Sequence, residues 1–102
     1  MPYDAPIDDM LFTLEAVADY GEIAAMPGNE EFDASVAEAV LEEAARLARE
    51  SLTPLNTVGD QQGAVLKDGK VVTPPGWHEA HQLLAEGGWV GLAKSPEFGG
   101  QG

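Results

Sequence analysis

The chain has 102 residues, of which 18 are Asp or Glu and 5 are Lys or Arg, giving a formal net charge of -13. That length allows one domain with one modest core, and the charge opposes binding to nucleic acid or to anionic membranes. The absence of Cys excludes a disulfide scaffold, a thiolate nucleophile and any Cys-ligated metal or iron–sulfur site.

No run of apolar residues is long enough to span a bilayer. Residues 1–10 carry three Asp and no Lys or Arg, so the basic start of a secretory signal is missing. The expectation is a cytoplasmic protein, and at 44% apolar and 23% charged residues it reads as globular rather than disordered. The acidity is uneven: residues 1–50 hold 13 acids and 2 bases (-11), and residues 51–102 hold 5 acids and 3 bases (-2). A solvated acidic face explains this most simply; a high-salt habitat or a basic partner are the other readings.

The first predicted helix covers residues 6–20. Ile7, Met10, Leu11, Leu14, Val17 and Ala18 recur at helical spacing and make one apolar stripe. Asp4 is the expected N-cap, with Pro6 in the first turn and Asp8 and Asp9 at the positive end of the helix dipole. Phe12 lies off the stripe, which calls for a second packing partner. Gly21 can end this helix, or Ile23 to Met26 can prolong it, before Pro27-Gly28-Asn29 breaks the chain.

The second predicted helix covers residues 34–52. Ala37, Val40, Leu41, Ala44, Leu47, Ala48 and Leu52 face one side, and Glu38, Glu42, Arg46, Arg49 and Glu50 the other. Asp33 is the expected N-cap, in competition with a Ser35–Glu38 capping box. Glu42 and Arg46 are spaced for an ion pair. The alanines make a slim face that admits another helix closely. Pro54 is expected to stop the helix, with a turn over residues 56–63.

A hairpin follows. Ala64-Val65-Leu66 and Val71-Val72-Thr73 flank Lys67-Asp68-Gly69-Lys70, and Asp-Gly suits a type I′ turn. Strands this short are marginal alone and should lie on something larger. The third helix starts after Thr73-Pro74-Pro75 and runs to about Glu86, with Trp77, Ala80, Leu83 and Leu84 as its apolar side. Gly87-Gly88 should end it in a left-handed cap. Trp89-Val90-Gly91-Leu92 reads as a short buried run, and Ser95-Pro96 opens a glycine-rich tail. The expected class is mainly α: three helices with a short β-hairpin.

Few residues suggest chemistry. His78 and His81 stand three apart, whereas the metalloprotease helix motif needs two His four apart with Glu between. They read as surface histidines, with a small metal-binding protein as the rival. Asp8-Asp9, Glu30-Glu31 and Glu42-Glu43 are adjacent pairs, and neighbours on a helix point about 100° apart, so they suit a solvated face rather than a shared acid/base site. Gly99-Gly100-Gln101-Gly102 follows no strand and precedes no helix, so it is no dinucleotide fingerprint. Trp77 and Trp89 read as core residues.

Five motifs, in order, carry a resemblance. They are Tyr3-Asp4-Ala5-Pro6 with Asp9-Met10-Leu11-Phe12-Thr13-Leu14; Pro54-Leu55-Asn56-Thr57-Val58-Gly59-Asp60; Asp68-Gly69-Lys70-Val71-Val72-Thr73-Pro74-Pro75-Gly76-Trp77; Gly87-Gly88-Trp89-Val90-Gly91-Leu92; and Pro96-Glu97-Phe98-Gly99-Gly100-Gln101-Gly102. Together they resemble the N-terminal region of the acyl-CoA dehydrogenase family, in its branch with an N-terminal extension (3-methylmercaptopropionyl-CoA dehydrogenase-like). Residues 29–49 match by pattern rather than by motif.

The resemblance implies the first part of that family's N-terminal helical domain. Residues 1–29 would be the extension helix and residues 30–102 a truncated part of the helical domain. It implies an FAD-dependent oxidoreductase of acyl-CoA metabolism in the full-length enzyme. There a glutamate base takes the α-proton of an acyl-CoA thioester, the β-hydride goes to the flavin, and an electron-transfer flavoprotein receives the electrons. The family's flavin-binding segments and catalytic Glu lie beyond the matched region, so no catalytic, cofactor-binding or metal residue is assigned here. The expected fragment is inactive without FAD, and exposed apolar stripes should make it a homo-oligomer. The alternative is a free-standing acidic helical interaction module.

Overall fold

A computed structural model describes residues 3–102. The architecture is mainly α with one small antiparallel hairpin, as expected. The single core anticipated from chain length is replaced by two units, Met1–Thr53 and Pro54–Gly102.

The first unit is built from α1 (Ile7–Phe12), α2 (Tyr20–Ala24) and α3 (Ala34–Leu47). The helix expected over residues 6–20 is interrupted. The Thr13 hydroxyl donates to the Asp9 carbonyl at 2.8 Å, a back-bond that bends helices. The backbone then widens into a π-helical turn, Thr13–Val17, closed by the Ala18 N–H on the Thr13 carbonyl. Asp19 follows in the left-handed region (φ 54°), which Asp tolerates better than most residues. Asp4 is not the N-cap: Pro6 holds that position with no side-chain cap. Asp4 instead faces Arg49, 3.3 Å away.

α1 and α2 both pack on α3. Ile7, Met10, Leu11 and Leu14 are half-buried, and Ala45 of α3 is buried. The small alanine side chains let the helices approach, as the slim face predicted. Val17 stays exposed because the π turn rotates it off the stripe. Phe12 is 68% exposed, so it lacks the second packing partner expected for it among the described residues. Pro27-Gly28-Asn29 breaks the chain as expected, with Asn29 Nδ2 donating to the Ile23 carbonyl at 2.8 Å.

Asp33 wins the competition to cap α3. Its Oδ1 accepts from the Val36 N–H at 3.0 Å and from the Ser35 hydroxyl at 2.6 Å. Pro54 does not stop the helical path. α3 passes through a π turn, Ala48–Leu52, into α4 (Thr53–Gln62), which replaces the turn expected over residues 56–63. The Thr53 N–H and hydroxyl both reach the Ala48 carbonyl, the hydroxyl at 2.9 Å. The wider turn relieves the clash between the proline ring and the preceding turn. Pro54 then sits in the first turn of α4, where a missing N–H costs nothing.

The second unit holds most of α4, then β1 (Val65–Lys67), β2 (Lys70–Val72) and α5 (Trp77–Glu86). The strands pair as Val65↔Val72, Leu66↔Val71 and Lys67↔Lys70. Asp68 and Gly69 take φ of 51° and 75°, the two positive values that a type I′ turn requires. Among the described residues no helix packs broadly against this hairpin, contrary to the expectation that it lies on something larger.

α5 is capped by Gly76 and closed by a Schellman motif. The Gly88 N–H reaches the Ala85 carbonyl, and the Trp89 N–H reaches the Leu84 carbonyl at 3.0 Å. The Trp77 indole lies on Gly59 of α4, so close that a Cβ there would meet Cζ2 at 2.8 Å. Pro74 and Ala80 are buried, whereas Trp77 itself is nearly half exposed. The run from Trp89 to Leu92 is a turn rather than a buried segment: Val90 is 65% and Leu92 42% exposed. Beyond it the glycine cluster folds back. The Gly102 N–H reaches the Lys94 carbonyl at 2.9 Å, and the Gly100 N–H reaches the Ser95 carbonyl at 3.0 Å.

Candidate functional site

The charged residues concentrate on α3 and its surroundings. An open groove of about 490 Å³ in the first unit is lined by Asp4, Ala5 and Ile7 from the start of the chain and by Ala39, Glu42, Glu43, Ala45, Arg46 and Arg49 from α3 and the turn after it. Helical spacing places Ala39, Glu42, Arg46 and Arg49 along one flank. α1 brings the N-terminal residues against it.

The two guanidinium groups of this groove are already engaged. Arg46 does not take Glu42, the partner expected from spacing. Its Nε donates to Glu43 Oε2 at 3.0 Å and its Nη1 to Glu50 Oε2 at 2.7 Å. The Glu43 contact is bidentate, a geometry that suits the planar fork of Arg. The hydrogen bond from Arg46 holds the Glu43 carboxyl below the usual carboxylate range. In return Glu43, and then Glu50, push the guanidinium above its ordinary value. Arg49 meets Asp4 across 45 positions of sequence.

Other acids serve local structure. The Ser35 hydroxyl, and after it the Val36 N–H, lower the Asp33 carboxyl below its ordinary value. The Gly28 N–H donates to Glu30 Oε1 at 3.0 Å, and this bond chiefly lowers Glu30. The adjacent pairs therefore do not converge as acid/base dyads. Glu43 is committed to Arg46 and Glu30 to a turn.

His78 and His81 both lie on the exposed side of α5. Among the described residues no group of three or more His, Asp or Glu side chains is arranged to hold a metal ion. Trp89 folds over Gly87, with ring atoms 2.9 Å from where a Cβ would stand. It works as a cap on the end of α5. No helix among the described residues is long and apolar enough to cross a membrane.

Spacing alone could have found the Glu43–Arg46–Glu50 cluster, since its members stand three and four apart on one helix. The Asp4–Arg49 pair had no local signal, because it depends on α1 folding back on α3.

No family model matches the chain. Over all 102 of its residues the chain is 36% identical to 3-methylmercaptopropionyl-CoA dehydrogenase of Ruegeria pomeroyi. It spans 17% of that protein's length. The resemblance to the acyl-CoA dehydrogenases carried by the five motifs is thereby borne out.

Proposed function

We propose that this chain is the N-terminal part of an FAD-dependent acyl-CoA dehydrogenase, which introduces a double bond between Cα and Cβ of an acyl-CoA thioester. The observation that carries this reading is the 36% identity over the full 102 residues, with the relative's remaining length unmatched. Residues 1–29 are the extension of this branch, and residues 30–102 begin its helical domain. The packing of α1 on α3 supports that division of labour, since the extension docks on the first long helix. In the whole enzyme the substrate is an acyl-CoA, the electron acceptor an electron-transfer flavoprotein and the compartment the cytoplasm.

The groove lined by Asp4, Glu42, Glu43, Arg46 and Arg49 does not fit a flavin. A dinucleotide brings a pyrophosphate, which needs cations or a helix N-terminus aimed at it. The one groove described above presents Asp4, Glu42 and Glu43, and its Arg46 and Arg49 are held by carboxylates. This supports the reading that flavin binding, the catalytic base and hydride transfer belong to the part of the enzyme outside these residues. Residues 1–102 alone are inactive. Their exposed apolar residues, Phe12, Leu66, Val71 and Phe98 among them, make the isolated chain a homo-oligomer.

The test has two arms. The protein encoded by the uninterrupted native reading frame is purified and assayed for acyl-CoA-dependent reduction of an electron-accepting dye. The 102-residue chain is titrated with FAD and followed by flavin fluorescence. Turnover and bound flavin are expected in the first arm, and neither in the second. A stop codon directly after Gly102 would sink the enzyme reading in favour of a free-standing module. Saturable flavin binding by the 102-residue chain would sink the placement of the flavin site elsewhere.

A further inference from the structure

In the first unit two segments of like charge are packed together. Residues 4–17, which hold α1 and its π turn, carry Asp4, Asp8, Asp9 and Glu15 and no base (-4). Residues 33–52, which hold α3, its cap and its π turn, carry Asp33, Glu38, Glu42, Glu43 and Glu50 against Arg46 and Arg49 (-3). α1 nevertheless packs on α3. Packed helices stand about 8–10 Å apart. The screening length is about 30 Å at 0.01 M salt and about 8 Å at 0.15 M. In dilute buffer, therefore, every charge of one segment acts on every charge of the other.

The attraction that opposes this repulsion is thin. Arg46 is engaged within the α3 path by Glu43 and Glu50. Among the described residues the ion pair that crosses to α1's segment is Asp4–Arg49, at 3.3 Å, with side chains 85% and 48% exposed. So exposed a pair contributes little. Neither arginine takes Glu42, which shares the groove with Asp4. The apolar contact is modest as well: Ile7, Met10 and Leu11 are half-buried, and no residue of α1 is fully buried. α1 has six residues and no side-chain cap, too few to persist as a helix without a surface to lie on. Docking and helix formation are thus one event.

We infer that residues 4–17 form a strap whose docking on α3 is gated by ionic strength: salt closes it and dilution releases it. Screening removes the repulsion between the two segments. The Asp4–Arg49 pair, whose members touch, is weakened less than charges a screening length apart. Release uncovers Ala45, the buried residue of α3, which lines the groove with Ala5 and Ile7.

Amide exchange over residues 10–17, referred to residues 38–47 of α3 in the same molecule, tests this between about 10 and about 150 mM NaCl. The proteins are the wild-type chain, Glu42→Gln and Arg49→Gln, all at one concentration. Wild-type protection of the strap should rise roughly threefold to tenfold across that range. At the lower salt Glu42→Gln, which removes one repelling charge and keeps helix preference, should be protected roughly twofold more than wild type. Arg49→Gln should be protected roughly threefold less. The three should converge at the higher salt. Protection that stays flat or falls with salt would overturn the gate. Three curves that rise in parallel would overturn its electrostatic origin, because salt would then be strengthening packing in general. No protection of residues 10–17 at any salt would overturn the docking itself. Sedimentation velocity on the same samples closes the remaining route: an oligomer that forms in step with protection in all three proteins would assign the effect to association and overturn the strap.

Discussion

Gly76 is the position where a single methyl group should cost the second unit most. It precedes α5 with φ of 85°, and a Cβ there would stand 2.7 Å from Leu55 Cδ2 on α4. Two penalties add in Gly76→Ala. The left-handed backbone costs a non-glycine residue about 1–2 kcal/mol. Overpacking costs about 1–3 kcal/mol, and the lower end applies because Leu55 is only half-buried and can yield. The sum is about 2–3 kcal/mol. With a urea slope of about 1 kcal/mol per M for a small unit, the midpoint should fall by about 2–3 M. Trp77 and Trp89 are the only tryptophans and both lie in this unit, so tryptophan fluorescence follows its unfolding directly. Gly63→Ala is the control. It shares the positive φ (64°) but meets nothing within 4 Å, so it should cost only the backbone part, about 1–2 kcal/mol. Equal losses in the two variants would refute the contact between Gly76 and Leu55. No loss in either would refute the backbone argument as well.

Further outcomes follow from the first unit. Ala45→Leu inserts a larger side chain at the buried point of α3 where α1 packs, and should destabilise the unit by about 1–3 kcal/mol in thermal unfolding followed by circular dichroism. Asp33→Ala removes the cap of α3 and should lower helical signal and thermal midpoint, with Asp33→Asn retaining most of both. Acid should weaken the same unit. Asp33, Glu30 and Glu43 all have carboxyls lowered by their partners, so their contribution is complete above the ordinary carboxylate value near about pH 4. It is lost as pH falls through the lowered values. Stability that rises on acidification below that point would contradict the hydrogen bonds assigned to them.

Local rules read the ends of elements well. Asp33 as a cap, the Asp68-Gly69 turn and the Gly87-Gly88 termination each depend on a few adjacent residues, and the structure places all three where the sequence put them. The errors arose where two local rules competed. Pro54 reads as a helix stop, yet a π turn one residue earlier absorbs the ring, and nothing in composition announces a change from four-residue to five-residue hydrogen bonding. The same change at Thr13–Val17 cut the first helix in two. Trp89 to Leu92 looked buried because apolar residues usually find cover, but a turn that caps a helix can leave Val90 in water. Helical geometry argues against the acidic pairs as shared acid/base sites, whereas the choice of Glu43 over Glu42 by Arg46 turned on rotamers that spacing does not specify.

The two units make different uses of their residues, and the contrast accounts for how thin the core is. In the first unit the acids cap α3, close a turn and hold two arginines, so the charge stabilises local structure and keeps that surface in water. In the second unit the net charge is small and apolar side chains stand exposed on a ribbon, a turn and a short 3₁₀ helix at Pro96–Phe98. Ala45, Ala80 and Pro74 are the buried residues among those described, and none has a large side chain. Three small buried residues do not offset the conformational entropy of 102 ordered ones. Apolar surface that the chain itself leaves uncovered must contribute through contacts with something else. The chain spans 17% of a dehydrogenase to which it is 36% identical, and on the reading proposed above the rest of such a longer polypeptide covers this surface.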